Sequence, residues 1–71
     1  MFVNRTPEYF LTTAREGSFS RAAEKLYISQ PSLSQHIAKL EESLEVRLFD
    51  RSRTPIVLTQ AGEIYRSYLE K

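Results

Sequence analysis

Cysteine and tryptophan are missing from the 71 residues, glycine occurs twice, proline three times and histidine once. Without cysteine there is neither a disulfide framework nor a thiolate zinc site, so a zinc finger is excluded and stability must come from packing. An enzyme would need a nucleophile with its base, paired acids in a cleft or a metal set, and the lone His36 supplies none of these, so catalysis and a cofactor are not expected. Charge is scarce in net terms. The formal balance is +1, which by itself announces no polyanionic partner. No apolar run approaches the roughly 18 residues of a membrane span, and Met1 to Arg5 lacks the long apolar segment of a secretory signal. The expectation is a soluble cytoplasmic protein with one domain, because a chain this short has only just enough residues for a single core.

What is there is organised around Ser29 to Leu44, SQPSLSQHIAKLEESL. Leu33, Ile37, Leu40 and Leu44 lie within about 40° of Leu33 on a helical wheel, and predict a core-facing stripe. Pro31, Gln35, Lys39 and Glu42 fall opposite, at about 160–240°, with Ser32 beside them. The carboxylates of this outer surface, Glu41 and Glu42, come late. Ser29 is a natural N-cap and Pro31 fits the first turn, so the free N–H groups there form an anion-seeking end. An outer polar face often does nothing but meet water. The preceding segment decides otherwise: Ser18 to Leu26 has a cap at Ser18 or Ser20, the small pair Ala22 and Ala23, and Leu26. Only Tyr27 to Ser29 then separate two helices, and Ile28 plugs the corner. This is a helix-turn-helix pattern, whose second helix enters a DNA major groove.

The rest of the chain completes a small fold. Thr6, Pro7 and Glu8 read as cap, first position and first-turn acid of a helix to Glu16, with Phe10, Leu11 and Ala14 inward and Gly17 ending it. Phe2 and Val3 are apolar enough to pack. Phe19 anchors the second helix, over about Phe19 to Leu26. Arg47–Arg51 and Ile56–Thr59 are two β-prone runs around a turn at Ser52–Pro55, a hairpin in which Leu48 or Phe49, with Ile56 and Leu58, covers the helices. Basic residues gather there: Arg47, Arg51 and Arg53 against Asp50. Thr59 caps a last helix from Gln60 to at least Lys71. Its stripe, Ala61, Ile64, Tyr65, Tyr68 and Leu69, spans about 140° of arc. Ala61 and Ile64 are expected to pack back on Phe10 and Leu11. Tyr68 and Leu69 are expected to lie beyond the bundle and need a partner, the simplest being a second copy. The stripe is still running at Lys71, which predicts that the residues belong to a longer protein.

The fold class expected is therefore mainly α: a winged helix-turn-helix of three helices and a two-stranded wing over residues 1–58, then a linker or dimerisation helix from 59 to 71. In that order the elements resemble the N-terminal DNA-binding domain of LysR-type transcriptional regulators, from about Tyr9 to Tyr68. The residues carrying the resemblance are Tyr9-Phe10, Gly17-Ser18-Phe19-Ser20, Ala22-Ala23, Leu26, Ser29 to Ser34, Ile37, Leu40-Glu41, Leu44, Val46 to Phe49, Arg51, Leu58-Thr59 and Ala61-Gly62. The resemblance implies double-stranded DNA as partner, on an inverted-repeat operator. It implies contacts from Ser18 and Ser20, from Gln30, Pro31, Ser32, Ser34, Gln35 and Lys39, and from Arg51 and Arg53 in the wing. It further implies a homodimer through the last helix, and a small-molecule effector acting only through a separate C-terminal domain. The alternative for Arg51 is a salt bridge to Glu42 or Glu45. Four positions depart from the family pattern: Asn4 and Pro7 stand where leucines are usual, Glu45 where glycine is, and Thr54 where a wing arginine is, with Arg53 adjacent. Gln35 replaces a frequent arginine and suits adenine N6 and N7, while Lys39 suits a guanine edge or phosphate. The rival reading, a winged helix that binds protein, would place apolar anchors on the outer face of the third helix, where Ser32, Gln35 and Lys39 stand instead.

Overall fold

The computed structural model describes residues 4–71, so the packing expected of Phe2 and Val3 lies outside the described residues. Four helices and a two-stranded sheet follow one another: α1 Thr6–Glu16, α2 Phe19–Leu26, α3 Gln30–Leu44, β1 Phe49–Asp50, β2 Val57–Leu58 and α4 Gln60–Leu69. The strands pair antiparallel, Phe49 opposite Leu58 and Asp50 opposite Val57. They are shorter than the two runs read from the sequence. Arg51, Arg53 and Pro55 at the hairpin tip have no ladder partners to extend it.

Local chemistry sets the helix ends. Ser18, Ser29 and Thr59 each sit in extended conformation and accept a hydrogen bond from the backbone N–H three residues on, at Arg21, Ser32 and Gly62, leaving one fewer unpaired donor per helix. Thr6 does not cap α1, contrary to expectation. It is already inside the helix, Arg5 holds the cap position without a side-chain bond, and Asn4 Oδ1 accepts from Thr6 N at 3.0 Å. Gly17 ends α1 at φ +66, its N–H on Thr13 O at 3.0 Å. Two non-glycine residues do the same work elsewhere: Tyr27 after α2 and Glu45 after α3 both lie at φ 59. In each case the following N–H, of Ile28 or Val46, reaches back five residues to Ala23 O or Glu41 O, the paired-bond ending that usually selects glycine. The last helix stops at Leu69 rather than running to Lys71, where Glu70 N bonds Arg66 O at 3.0 Å.

The core is where α1, α2 and α3 meet under the wing. Phe10, Thr13, Leu33, Ile37 and Leu48 are its largest fully buried side chains, with Tyr9, Ala22, Ala23, Leu26 and Phe49 around them; each large apolar one contributes about 1.5–3 kcal/mol. Leu11 and Ala14 only edge this cluster. The buried face of α1 is turned toward Tyr9, Phe10 and Thr13, and Thr13 satisfies its hydroxyl by donating to Tyr9 O at 2.8 Å. Leu44, expected in the core, is instead 42% exposed. It lies past the end of the helices that cover Leu33 and Ile37.

Aromatic rings join the wing and α4 to this centre. Phe10 meets Phe49 at 5.3 Å between ring centres and Tyr65 edge-on at 4.9 Å, and Phe19 meets Phe49 at 5.8 Å. Ala61, Tyr65 and Leu69 thus face the core, one per turn, whereas Ile64 and Tyr68 are 65% and 70% exposed. This corrects two expectations at once. Ile64 does not pack back, and Leu69 does, because α4 is rolled so that positions four apart from Ala61 face α1. Burial, and secondarily Tyr68, raises the Tyr65 phenol above its ordinary pKa.

Candidate nucleic-acid interface

The start of α3 presents the surface anticipated for it. Gln30, Pro31, Ser32, Gln35 and Lys39 are all exposed, and Ser34 is half-buried at the margin. Ser29 holds Ser32 N at 3.2 Å, and the first turn contains no acid, so the positive end of the helix is not neutralised by its own side chains. The late acids separate. Glu42 stays outside, but Glu41, read as part of the outer surface, turns inward and is only 8% exposed.

From α2, Ser18 is occupied as the cap, accepting from Arg21 N at 3.2 Å. Ser20 reaches across to α3 and donates to Gln30 Oε1 at 3.0 Å. The fold therefore brings Ser20 and Gln30 together, ten residues apart in sequence. His36, left open between a groove-edge and a structural role, is solvent-exposed and stands edge-on to Tyr9 at 4.9 Å.

The two wing arginines diverge. Arg51 lies with its guanidinium carbon 4.3 Å from the centre of the Phe19 ring and Nη2 3.9 Å from Glu41 Oε1. Its acidic neighbour is thus Glu41, and not the Glu42 or Glu45 considered from sequence. Glu41 in turn uses Oε2 to accept from Leu48 N at 2.8 Å and Phe49 N at 3.3 Å. One carboxylate so ties α3, β1 and Arg51 together. Arg53 points outward, its side chain 68% exposed, with Nε 3.9 Å from Asp50 Oδ2. Asp50 is itself held below its ordinary pKa by the Ser52 hydroxyl first and the Ser52 N–H second, a local turn that shapes the hairpin tip.

Three residues of this region were given no site role from sequence. The inward role of Glu41 gave no signal because its partners come from the next element. Tyr27 lies in the turn before Ser29 and is 95% exposed, yet nothing in its neighbours distinguishes it from a corner-packing residue. Gly62 does carry a signal: a glycine inside a helix is tolerated at a loss of about 1 kcal/mol and so points to a close approach. Thr59 N bonds Leu48 O at 2.9 Å and Thr59 Oγ1 donates to Arg47 O at 2.6 Å, which draws Gly62 onto the backbone just before β1.

Among the described residues no cluster of His, Asp or Glu is arranged to hold a metal ion, and no helix is long and apolar enough to cross a membrane.

Known proteins share this arrangement. The family model described as bacterial regulatory helix-turn-helix protein, lysR family, matches residues 5–63. A probable RuBisCO transcriptional regulator of Nostoc sp. (strain PCC 7120) is 52% identical over 58 residues, which is 82% of this chain and 17% of that protein. The uncharacterised regulator YxjO of Bacillus subtilis is 44% identical over 62 residues, 87% of this chain and 21% of its own. The chain thus spans about a fifth of the length of these curated relatives. Among solved structures, the complex of the BenM DNA-binding domain with catB site 1 DNA superposes with a TM-score of 0.89 at 39% identity, over 93% of this chain and 71% of that one. A LysR family regulator from Eggerthella lenta gives 0.90 at 41% identity, over 99% of this chain and all of that one. These relatives are transcriptional regulators rather than enzymes. The chain belongs to the lysR family of bacterial helix-turn-helix regulators, as a winged helix-turn-helix DNA-binding domain.

Proposed function

We propose that the chain recognises a specific double-stranded operator, with α3 in the major groove and the wing against the minor groove or backbone. The observation that carries this reading is the exposed, acid-free start of α3, where Gln30, Pro31, Ser32, Gln35 and Lys39 stand outward around an uncompensated helix N-terminus. Ser34 and Ser18 border that surface. Base readout falls to Gln35 with Ser34 and Gln30, since amide side chains distinguish base edges, while Lys39 serves a guanine or a phosphate. In the wing, Arg53 is the phosphate or minor-groove contact. Arg51, stacked on Phe19, adds positive potential from the wing base. The reading divides the chain into a winged domain, 1–58, and the start of a linker helix, 59–71.

The same proposal makes the active form a dimer on an inverted repeat. Ile64 and Tyr68, one turn apart on the outer side of α4, leave two large apolar side chains in water. A second α4 would cover both with a two-fold axis, matching two half-sites. A small-molecule effector would act through a separate C-terminal domain, and the protein would work in the cytoplasm beside its DNA.

Titration of labelled duplexes at several salt concentrations tests the core of this. Binding should weaken steeply with salt, and Arg53→Ala should lower the slope by about one unit on specific and non-specific duplexes alike. Gln35→Ala should lose about 1–3 kcal/mol on the preferred site and flatten one base position. Salt-independent binding, or equal affinity of Gln35→Ala and the parent across single-base variants, would reject the assignment. Sedimentation with an inverted-repeat duplex tests the dimer: Ile64→Glu with Tyr68→Glu should abolish two-to-one complexes, and their persistence would move the seam elsewhere.

A further inference from the structure

The hydrogen bond between Ser20 and Gln30 joins the starts of the two helices that face DNA in the proposed reading. A serine hydroxyl has one proton to give. Here it goes to Gln30 Oε1, 3.0 Å away, so Ser20 has no proton left for a phosphate. The amide of Gln30 is oriented by the same bond: with its oxygen turned toward α2, its Nε2 and two N–H donors are turned away from it. The opposite polarity would turn the amide oxygen toward the phosphate-rich surface, where its lone pairs would meet negative charge. Both side chains are exposed in the free protein, where water competes for the bond. Removing that water at a DNA interface strengthens it.

An unconstrained glutamine pairs bidentately with adenine by accepting from N6 and donating to N7. A glutamine whose oxygen is turned onto a neighbouring hydroxyl keeps one lone pair on that oxygen but leads with its Nε2 donors. It suits the adjacent acceptors O6 and N7 of guanine, or thymine O4, better than adenine's mixed edge. We propose that Ser20 is a positioning residue for base recognition, orienting Gln30 so that its Nε2 donors lead. This rests on the reading of α3 as the major-groove helix. It moves Ser20 from the phosphate contacts to the machinery that sets specificity.

The test is a double-mutant cycle on DNA affinity with the 71-residue chain. The probes are the tightest duplex selected from a randomised pool and its single-base variants. Ser20→Ala should bind the selected duplex roughly threefold to tenfold more weakly. It should also flatten discrimination at one base pair, with adenine there gaining relative to guanine or thymine. In a Gln30→Ala background the same change should have no further effect, and thermal melting of Ser20→Ala should match the parent. Additive losses in the cycle, or a loss uniform over the whole panel, would overturn the proposal and return Ser20 to a direct backbone contact. Failure of the parent chain to select any duplex would instead reject the DNA reading itself.

Discussion

Gly62, in the first turn of α4, is closed in by the wing. A Cβ built there would overlap Leu48 O, and would lie 3.1 Å from the Leu48 carbonyl carbon and 2.9 Å from Leu58 Cδ2. The obstacle is backbone, which no rotamer change removes. Gly62→Ala must therefore push α4 away by about an ångström to regain ordinary contact. That movement stretches the bonds that seat the helix, Thr59 N to Leu48 O at 2.9 Å and Thr59 Oγ1 to Arg47 O at 2.6 Å. Two such bonds at about 0.5–1.5 kcal/mol each, with overpacking of about 1–3 kcal/mol, outweigh the gain of about 1 kcal/mol that alanine brings to a helix. A net loss of about 2 kcal/mol corresponds to a fall of roughly 10 °C in Tm for a domain of this size. Far-UV circular dichroism melts of the two proteins measure it. A Tm equal to or above the parent's would show that α4 is not seated against Leu48 as described.

Glu41→Ala should leave the Leu48 and Phe49 N–H groups without their acceptor, at about 1–3 kcal/mol each. Glu41→Gln keeps an acceptor oxygen and should lose distinctly less in urea unfolding; equal losses would mean that the backbone bonds are not what matters. Glu45→Gly should stabilise by about 0.5–1 kcal/mol, because the position is left-handed and glycine adopts that conformation without a Cβ clash. Glu45→Ala is the control, and a matching gain from it would refute the conformational cause. With the Tyr65 pKa raised by burial, the folded state holds the phenolic proton more tightly than the unfolded chain. The resulting stability is fully present below the ordinary tyrosine range and is lost as pH rises through the folded pKa. Melts on the alkaline side should therefore show Tyr65→Phe losing less with pH than the parent, and parallel decline would rule the linkage out.

How much could be read beforehand depended on how far each determinant reached along the chain. Ser18, Ser29 and Thr59 were legible as caps because the bond closes within three residues. The order of helix, turn, helix and wing followed from the spacing of apolar and turn residues. Leu44 was misplaced because a helical wheel records direction but not where the neighbouring helices end. The same limit applied to α4: five apolar residues define an arc, and only the tilt against Phe10 decides that Tyr65 and Leu69 go in while Ile64 and Tyr68 stay out. In the candidate site, the outward side chains of α3 were visible in the sequence. The Ser20–Gln30 bond and the inward turn of Glu41 were not, since each joins elements that meet only after folding.

Glu41 grips the wing by its main chain. The groups it holds are the N–H of Leu48 and of Phe49, which every residue except proline possesses. The main-chain anchorage is thus indifferent to which side chains β1 carries, and the hairpin tip beyond Arg51 is not part of it. Substitutions at the tip, at Arg53 for example, leave the junction with α3 intact. A fold anchored in this way lets the tip of its wing be retuned by mutation without renegotiating its core.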